Sequence, residues 1–146
     1  MKAVKNPRAK KKYHLRIPSQ TENLEIIREF VTGIARKVGF PEDDASKIEI
    51  AVDEACTNVI EHAYNKDERK LIDIVIQIDP QKFTITITDQ GKGFDPDKVK
   101  TPDMKKYLEE MRVGGLGIFL MQTLMDEIDF DVVGGRKNQV KMVKYF

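Results

Sequence analysis

The chain has 146 residues, 40% of them apolar and 34% charged, which suits one globular domain with one core. No apolar run approaches the roughly 20 residues that a membrane helix needs, and no secretory signal is present. Cys56 is the single cysteine, so an internal disulfide is excluded and a reducing cytoplasm is the expected location.

Charge is spread unevenly along the chain. Residues 1–16 hold seven Lys or Arg and no acid, whereas the remainder carries 18 basic and 24 acidic side chains. A basic segment can contact nucleic acid or an acidic partner, but a solvated terminus is the simpler interpretation. Because the body is acidic, we expect no direct nucleic-acid contact. Because no apolar run is long enough to span a membrane, we also expect no membrane contact. We interpret residues 1–12 as a flexible basic tail and 13–146 as the folded domain.

The first half of the chain predicts a strand and two helices. "YHLRIP" alternates and indicates a short strand. Ser19 and Glu22 match the capping-box pattern, and apolar residues at helical spacing predict a helix over residues 20–38 that Gly39 ends. Pro41 and the acids after it predict the start of a second helix, which should run to about residue 64.

The second half predicts two hairpins around a loop and a helix. "LIDIVIQID" and "KFTITITD" alternate and indicate an antiparallel hairpin, followed by a long polar loop over residues 90–114 with one short helix. "GLGIFLMQTLMDEI" predicts a third major helix, and "IDFDVVGG" and "QVKMVKYF" a closing hairpin. We predict an α+β fold, a two-layer sandwich with helices on one face of a mixed, mostly antiparallel sheet.

The second helix carries the first group of candidate functional residues. Its apolar positions share one face, and Glu54 and Asn58 lie on the opposite face, one turn apart. Asn is a mediocre helix former, so its presence there is a mild sign of function. An amide oxygen can ligate Mg²⁺, and a carboxylate can act as a base. An ordinary solvated face remains the alternative.

The stretch "TDQGKGFDP" is the second candidate. Asp89 ends a strand and can accept a hydrogen bond from an amino group such as that of adenine, while Gly91 and Gly93 allow close approach to the backbone. The stretch is neither a Walker A motif nor a dinucleotide-binding fingerprint. A turn without a ligand remains the alternative.

The stretch "RVGGLGIFL" is the third candidate. Its glycines, including Gly115 and Gly117, lead into a helix whose free N–H groups can bind an anion. Arg112 is placed to add a positive charge near a phosphate. A hinge that leads into a buried helix is the alternative for this stretch.

Together and in this order, the three stretches resemble the motifs of the GHKL, or Bergerat-fold, ATP-binding superfamily. "DEACTNVIEHAY" resembles its N box, "DQGKGF" its D-x-G-x-G box and "GGLGIFLM" its second glycine box. The resemblance covers roughly residues 10–146. "AVDEACTNVIEHAY" and "GGLGIFLMQTLMDEIDF" are most similar to the bacterial anti-sigma factor serine-protein kinases.

The resemblance implies a role for each candidate residue. Glu54 would be the general base that activates a serine hydroxyl, and Asn58 would ligate the Mg²⁺ that bridges the ATP phosphates. Asp89 would bind the adenine amino group. Gly91 and Gly93 would form the wall beside adenine, and Gly115 and Gly117 would bind the phosphates. Arg112 would contact the terminal phosphate. Residues 95–114 would form a lid over the site.

The resemblance implies a protein serine kinase that uses Mg²⁺-ATP and is also an anti-sigma factor. It would sequester a sigma factor, phosphorylate an anti-anti-sigma partner and form a homodimer in the cytoplasm. One position departs from the pattern, because Lys137 and Asn138 stand where many relatives have Gly-Thr, whose Thr supports the adenine pocket. Either Asn138 substitutes as a hydrogen-bonding group, or the affinity for adenine is reduced. The alternative function is a nucleotide-binding anti-sigma switch without significant kinase activity.

Overall fold

A computed structural model describes residues 9–63, 69–89, 116–133 and 137–146. Over these residues the chain forms three α-helices and five strands. A short 3₁₀ turn, Thr21–Asn23, precedes α1, and a π-helical turn, Val59–Ala63, follows α2. The elements in chain order are β1 (Lys11–Pro18), α1 (Leu24–Lys37), α2 (Glu42–Asn58), β2 (Leu71–Ile78), β3 (Lys82–Asp89), α3 (Leu116–Leu124), β4 (Glu127–Val133) and β5 (Lys137–Tyr145).

The five strands form one sheet in the order β1-β2-β3-β5-β4, and each neighbouring pair is antiparallel. Alternation along β2 explains the two layers, because Ile72, Ile74 and Ile76 are fully buried while Leu71 is exposed. The buried side packs with the helices in one core, in which α2 contacts both α1 and α3. The predicted α+β two-layer sandwich is confirmed.

The start of α1 differs from the prediction. Ser19 does not cap the helix, since its backbone N–H donates to the Lys70 carbonyl at 2.8 Å and extends the pairing between β1 and β2. The Ser19 hydroxyl is buried and has no hydrogen-bond partner in the described ranges. A 3₁₀ turn therefore intervenes, and the α-helix begins at Leu24 without a side-chain cap. The capping-box prediction is wrong because Ser19, the residue that would cap the helix, pairs with Lys70 in the sheet instead.

Gly39 ends α1, as predicted from the sequence. Its φ of 103° is a left-handed conformation that favours glycine. The N–H of Gly39 donates to Arg36 O at 3.0 Å and that of Phe40 to Ala35 O at 3.1 Å, the paired bonds of a Schellman motif. The Phe40 ring then packs edge-on against Phe83. The turn therefore fixes the connection from α1 to the sheet.

The third helix is shorter than predicted. The sequence predicts helix through residue 128, but α3 ends at Leu124 and β4 begins at Glu127. The N–H of Asp126 donates to Val143 O at 2.9 Å, and Lys144 Nζ donates to Leu124 O at 2.9 Å. Contacts with β5 therefore end the helix and draw the following residues into the sheet.

The predicted polar loop over residues 90–114, with its short helix, lies outside the described residues. Within the ranges that the structure describes, no helix has the length and apolar character needed to cross a membrane.

Candidate functional site

The polar face of α2 carries Glu54 and Asn58 near the end of the helix. Both side chains are half-buried. Ile48 and Val52, on the apolar face, are fully buried in the core. Cys56 is also fully buried, and this burial raises the pKa of its thiol far above the usual value. Cys56 is therefore one of the core residues of the fold.

The helix changes its geometry directly after Asn58. Residues Val59–Ala63 form a π-helical turn, which has more residues per turn than an α-helix. Positions after Asn58 are therefore rotated relative to a continuous α-helix, and Glu61 does not share the half-buried surroundings of Glu54. Short π-helical turns occur frequently at functional sites.

Glu54 lies in an environment that disfavours its charged form. Burial, first, and the neighbouring Asp53 carboxylate, second, raise the pKa of Glu54 above its usual 4.5. Arg28 on α1 lies near Asp53, with 3.4 Å between Arg28 Nε and Asp53 Oδ1. Asp53 Oδ1 is buried and accepts no well-formed hydrogen bond from the described residues, so this contact is an ion pair only. A carboxylate with a raised pKa is a better proton acceptor.

Asp89 lies at the end of β3, opposite Asn138 of β5 in the strand register. Asp89 is 5% exposed and lies on the same face of β3 as the buried Ile85 and Ile87, which places it on the helix-facing side of the sheet. Asn138 Nδ2 donates to Asp89 Oδ1 at 2.9 Å. The sequence pointed to Asn138 as a hydrogen-bonding group, and the strand register supplies its partner.

Several predicted site residues cannot be located in the same way. Gly91, Gly93, Arg112 and Gly115 lie outside the described residues, as does the predicted lid over residues 95–114. Gly117 is the second residue of α3. The described part of the predicted site therefore consists of two groups, Glu54 with Asn58 on α2 and Asp89 with Asn138 on the sheet.

Sequence reasoning missed the ion pair between Arg28 and Asp53. The two residues are far apart in the chain and meet because α1 packs against α2. In the sequence, the only local indication was that Asp53 directly precedes Glu54. This indicates nothing unless Arg28 is known to lie beside Asp53. The contact matters because Asp53 is one of the two causes of the raised pKa of Glu54.

A cleft of about 410 Å³ lies elsewhere on the molecule. It is formed by β1, the turn between β2 and β3, and part of β5. Gln77 and Thr84 in its lining occupy strand positions that point away from the helices. Neither Glu54 nor Asp89 lines this cleft, so it is separate from the predicted site.

Comparison with known proteins identifies the family. Residues 17–144 match the histidine kinase-like ATPase domain family. The chain is similar to serine-protein kinase RsbW of Bacillus velezensis, with 35% identity over 90% of this chain and 83% of the relative. It is also similar to serine-protein kinase RsbW of Bacillus subtilis, with 35% identity over 78% of this chain and 74% of that relative.

A solved structure shows the same fold. The crystal structure of the RsbU and RsbW domains of a Mycobacterium tuberculosis protein superposes with a TM-score of 0.66 at 14% identity. The superposition covers 92% of this chain, which spans about a third of that longer protein (32%). At this low identity the likeness concerns the fold alone.

These matches confirm the resemblance that the three motifs indicated. An ATPase domain uses ATP, so ATP is the nucleotide of this fold. The family model covers most of the chain, and the relatives that exceed 30% identity are serine-protein kinases. The chain therefore belongs to the histidine kinase-like ATPase domain family and, within it, to the RsbW family of serine-protein kinases.

Proposed function

We propose that the protein transfers the terminal phosphate of Mg²⁺-ATP to a serine hydroxyl of an anti-anti-sigma partner and sequesters a sigma factor when that partner is phosphorylated. The domain that does so begins with β1 at Lys11, two residues before the start at residue 13 that the sequence predicted, so the basic tail is shorter than the predicted residues 1–12. The observation that carries the proposal is the half-buried Glu54, with its raised pKa, one helical turn before Asn58.

Glu54 is the general base in this proposal. A serine hydroxyl is a weak nucleophile and must lose its proton as the phosphoryl group is transferred. Burial and the adjacent Asp53 raise the pKa of Glu54, so its carboxylate holds a proton more readily than an exposed glutamate does. The carboxylate accepts the serine proton during transfer. Glu54 therefore has the environment that this step needs.

Asn58 is the Mg²⁺ ligand in this proposal. Its amide oxygen is a hard donor of the kind that Mg²⁺ accepts, and its side chain is half-buried on the same helix face as Glu54. In the described ranges no three side chains from His, Cys, Asp and Glu gather into a metal cage. A single amide oxygen, that of Asn58, fits Mg²⁺, which usually takes one or two protein ligands and completes its shell with water and phosphate oxygens. When bound, the ion neutralises charge on the phosphates.

The sheet supplies the base-binding end of the site. Asp89 is buried on the helix-facing side, where its carboxylate accepts a hydrogen bond from Asn138. We assign it the adenine amino group. Gly91 and Gly93 shape the wall beside adenine, Gly115 and Gly117 bind the phosphates through the backbone, and Arg112 contacts the terminal phosphate.

The protein partners follow from family membership. RsbW relatives are serine-protein kinases, which supports a protein serine as the phosphate acceptor. We propose a sigma factor and an anti-anti-sigma factor as the two partners, competing for a homodimer of this chain in the cytoplasm. Phosphorylation adds about two negative charges to the acceptor serine and thereby opposes its rebinding.

The test is transfer of labelled terminal phosphate from Mg²⁺-ATP to a purified anti-anti-sigma protein. Glu54→Gln should lower the rate of transfer by about 10²–10⁴-fold and retain ATP binding, because the base is lost while the nucleotide contacts remain. Glu61→Gln is the matched control, since Glu61 is an exposed acid in the following π-helical turn. If the native chain binds ATP but transfers no phosphate to any such partner, the protein is instead an ATP-dependent binding switch.

A further inference from the structure

Among the described residues, only one of the two polar atoms of the Asn138 side-chain amide has a hydrogen-bond partner. Its Nδ2 donates to Asp89 Oδ1 at 2.9 Å. Its Oδ1 is buried and accepts no hydrogen bond from the described residues. A buried acceptor without a donor lowers the stability of the fold, so such an atom in a native structure calls for an explanation.

The orientation of this amide is chemically determined. An Asn side chain can be turned so that either its nitrogen or its oxygen faces a neighbour. Asp89 presents a carboxylate oxygen, which only accepts, so the Nδ2 must face it and the Oδ1 must point elsewhere. The pair therefore places a second acceptor beside the carboxylate, on the helix-facing side of the sheet.

We propose that Asn138 Oδ1 accepts a hydrogen bond from the exocyclic amine of the bound nucleotide, so that the site selects purines with an unsubstituted amine. This inference rests on the proposed function, in which Asp89 accepts one hydrogen of that amine. Asn138 then takes the other. The residue becomes a specificity determinant for the base as well as a support for Asp89.

The chemistry of the ligand matches two adjacent acceptors. The amine of adenine carries two hydrogens, one for each acceptor. Guanine presents a carbonyl oxygen at the same ring position, which would face two acceptors and gain no hydrogen bond. An adenine whose amine carries one methyl group keeps a single hydrogen and leaves one buried acceptor unpaired.

The next position along each strand provides a control pair. Gln139 Nε2 donates to Thr88 Oγ1 at 3.3 Å, and these residues are also register partners. Because side chains alternate along a strand, this pair lies on the opposite side of the sheet from Asp89 and Asn138. Gln139→Leu removes an amide one residue away without altering the proposed base contact.

The experiment measures dissociation constants, with Mg²⁺, for three nucleotides on three chains. The nucleotides are ATP, ATP methylated on the exocyclic amine, and purine riboside triphosphate, which lacks the amine. The chains are the native protein, Asn138→Leu and Gln139→Leu. Leucine matches asparagine in shape and removes both polar atoms.

In the native chain, methylation should weaken binding about 10-fold, the usual effect of one unpaired buried acceptor. In Asn138→Leu, ATP should bind about 10-fold more weakly than to the native chain, and the difference between ATP and its methylated form should shrink to about 2-fold. Purine riboside triphosphate should bind both chains equally, and Gln139→Leu should behave as the native chain does.

A purely structural role for Asn138 gives a different result. If Asn138 only holds Asp89 in place, one hydrogen on the amine suffices, and the native chain binds ATP and its methylated form equally. That result overturns the inference and leaves ATP binding intact. If the native chain binds none of the three nucleotides, the proposed function fails as well. Should Asn138→Leu not fold, equal binding of ATP and its methylated form to the native chain still overturns the inference.

Discussion

Two acidic side chains in this protein have opposite electrostatic surroundings. Asp73 on β2 accepts hydrogen bonds at 2.7 Å from His14 Nε2 and at 2.9 Å from Arg16 Nε, both on the neighbouring strand β1. Burial acts to raise the pKa of Asp73, but the hydrogen bonds and charges of Arg16 and His14 outweigh it and lower that pKa. Burial and Asp53, by contrast, raise the pKa of Glu54.

We interpret the difference as one between a structural acid, Asp73, and the proposed general base, Glu54. Asp73 joins two strands, and its charged form is favoured by folding. Glu54 is held in a place where its charge is disfavoured, which folding alone does not explain. Proteins keep such unfavourable side chains where activity requires them, commonly at some expense of stability. The predictions below test this contrast, beginning with the largest expected effect.

Glu54→Gln should lower the rate of phosphoryl transfer by about 10²–10⁴-fold, the usual contribution of a general base. Asp73→Asn should leave the rate within about 2-fold of the native value, because that side chain lies on the other face of the sheet and outside the proposed site. Single-turnover transfer of labelled phosphate measures both. Equal losses in the two variants would contradict the division into functional and structural acids.

Asn58→Ala should remove most of the thermal stabilisation that Mg²⁺-ATP provides. At a ligand concentration about 100 times the dissociation constant, binding stabilises the native state by about 2.7 kcal/mol. Melting curves with and without Mg²⁺-ATP measure the shift, and Glu61→Gln serves as the control on the same segment. An unchanged shift in Asn58→Ala would remove this residue from the nucleotide site.

Asp73→Asn should lower the melting midpoint at neutral pH by about 2–4 °C, because it removes the acceptor of one small ion-pair network. The folded-state pKa of Asp73 is lowered from its usual 3.8, so its contribution is present above that pH and is lost as the pH falls through the lower, folded-state pKa. Midpoints of the variant and the native chain should therefore converge in acid. A difference that persists unchanged in acid would exclude the ion pairs as its origin.

Glu54→Gln should raise the melting midpoint slightly at neutral pH when no nucleotide is present. The folded-state pKa of Glu54 is raised, so its charged form costs stability above that pKa, and the cost disappears as the pH falls toward the usual 4.5. The gain of the variant should shrink over this range, opposite in sign to the Asp73 series. A variant less stable than the native chain at neutral pH would show that Glu54 supports the fold.

Local sequence patterns determined most of the fold and part of the site. Alternation in "LIDIVIQID" and "KFTITITD" predicted the central hairpin, because a buried sheet face requires an apolar residue at every second position. The helical period separated the buried face of α2 from the face of Glu54 and Asn58 for a similar reason. Gly39 ended α1 as predicted, because few other residues adopt its backbone conformation easily.

Tertiary contacts decided what these patterns did not show. Ser19 matches a helix cap but pairs with Lys70, and the segment after Leu124 has a helical pattern but joins β5. The pairing of Asp89 with Asn138 depends on the register between β3 and β5, and the environment of Glu54 depends on its burial in the packed fold. Periodicity records which face of an element is buried. It does not record which distant residue lies across from it, and here the distant neighbour Asn138 determined the hydrogen bond of Asp89, while packing determined the burial that raises the pKa of Glu54.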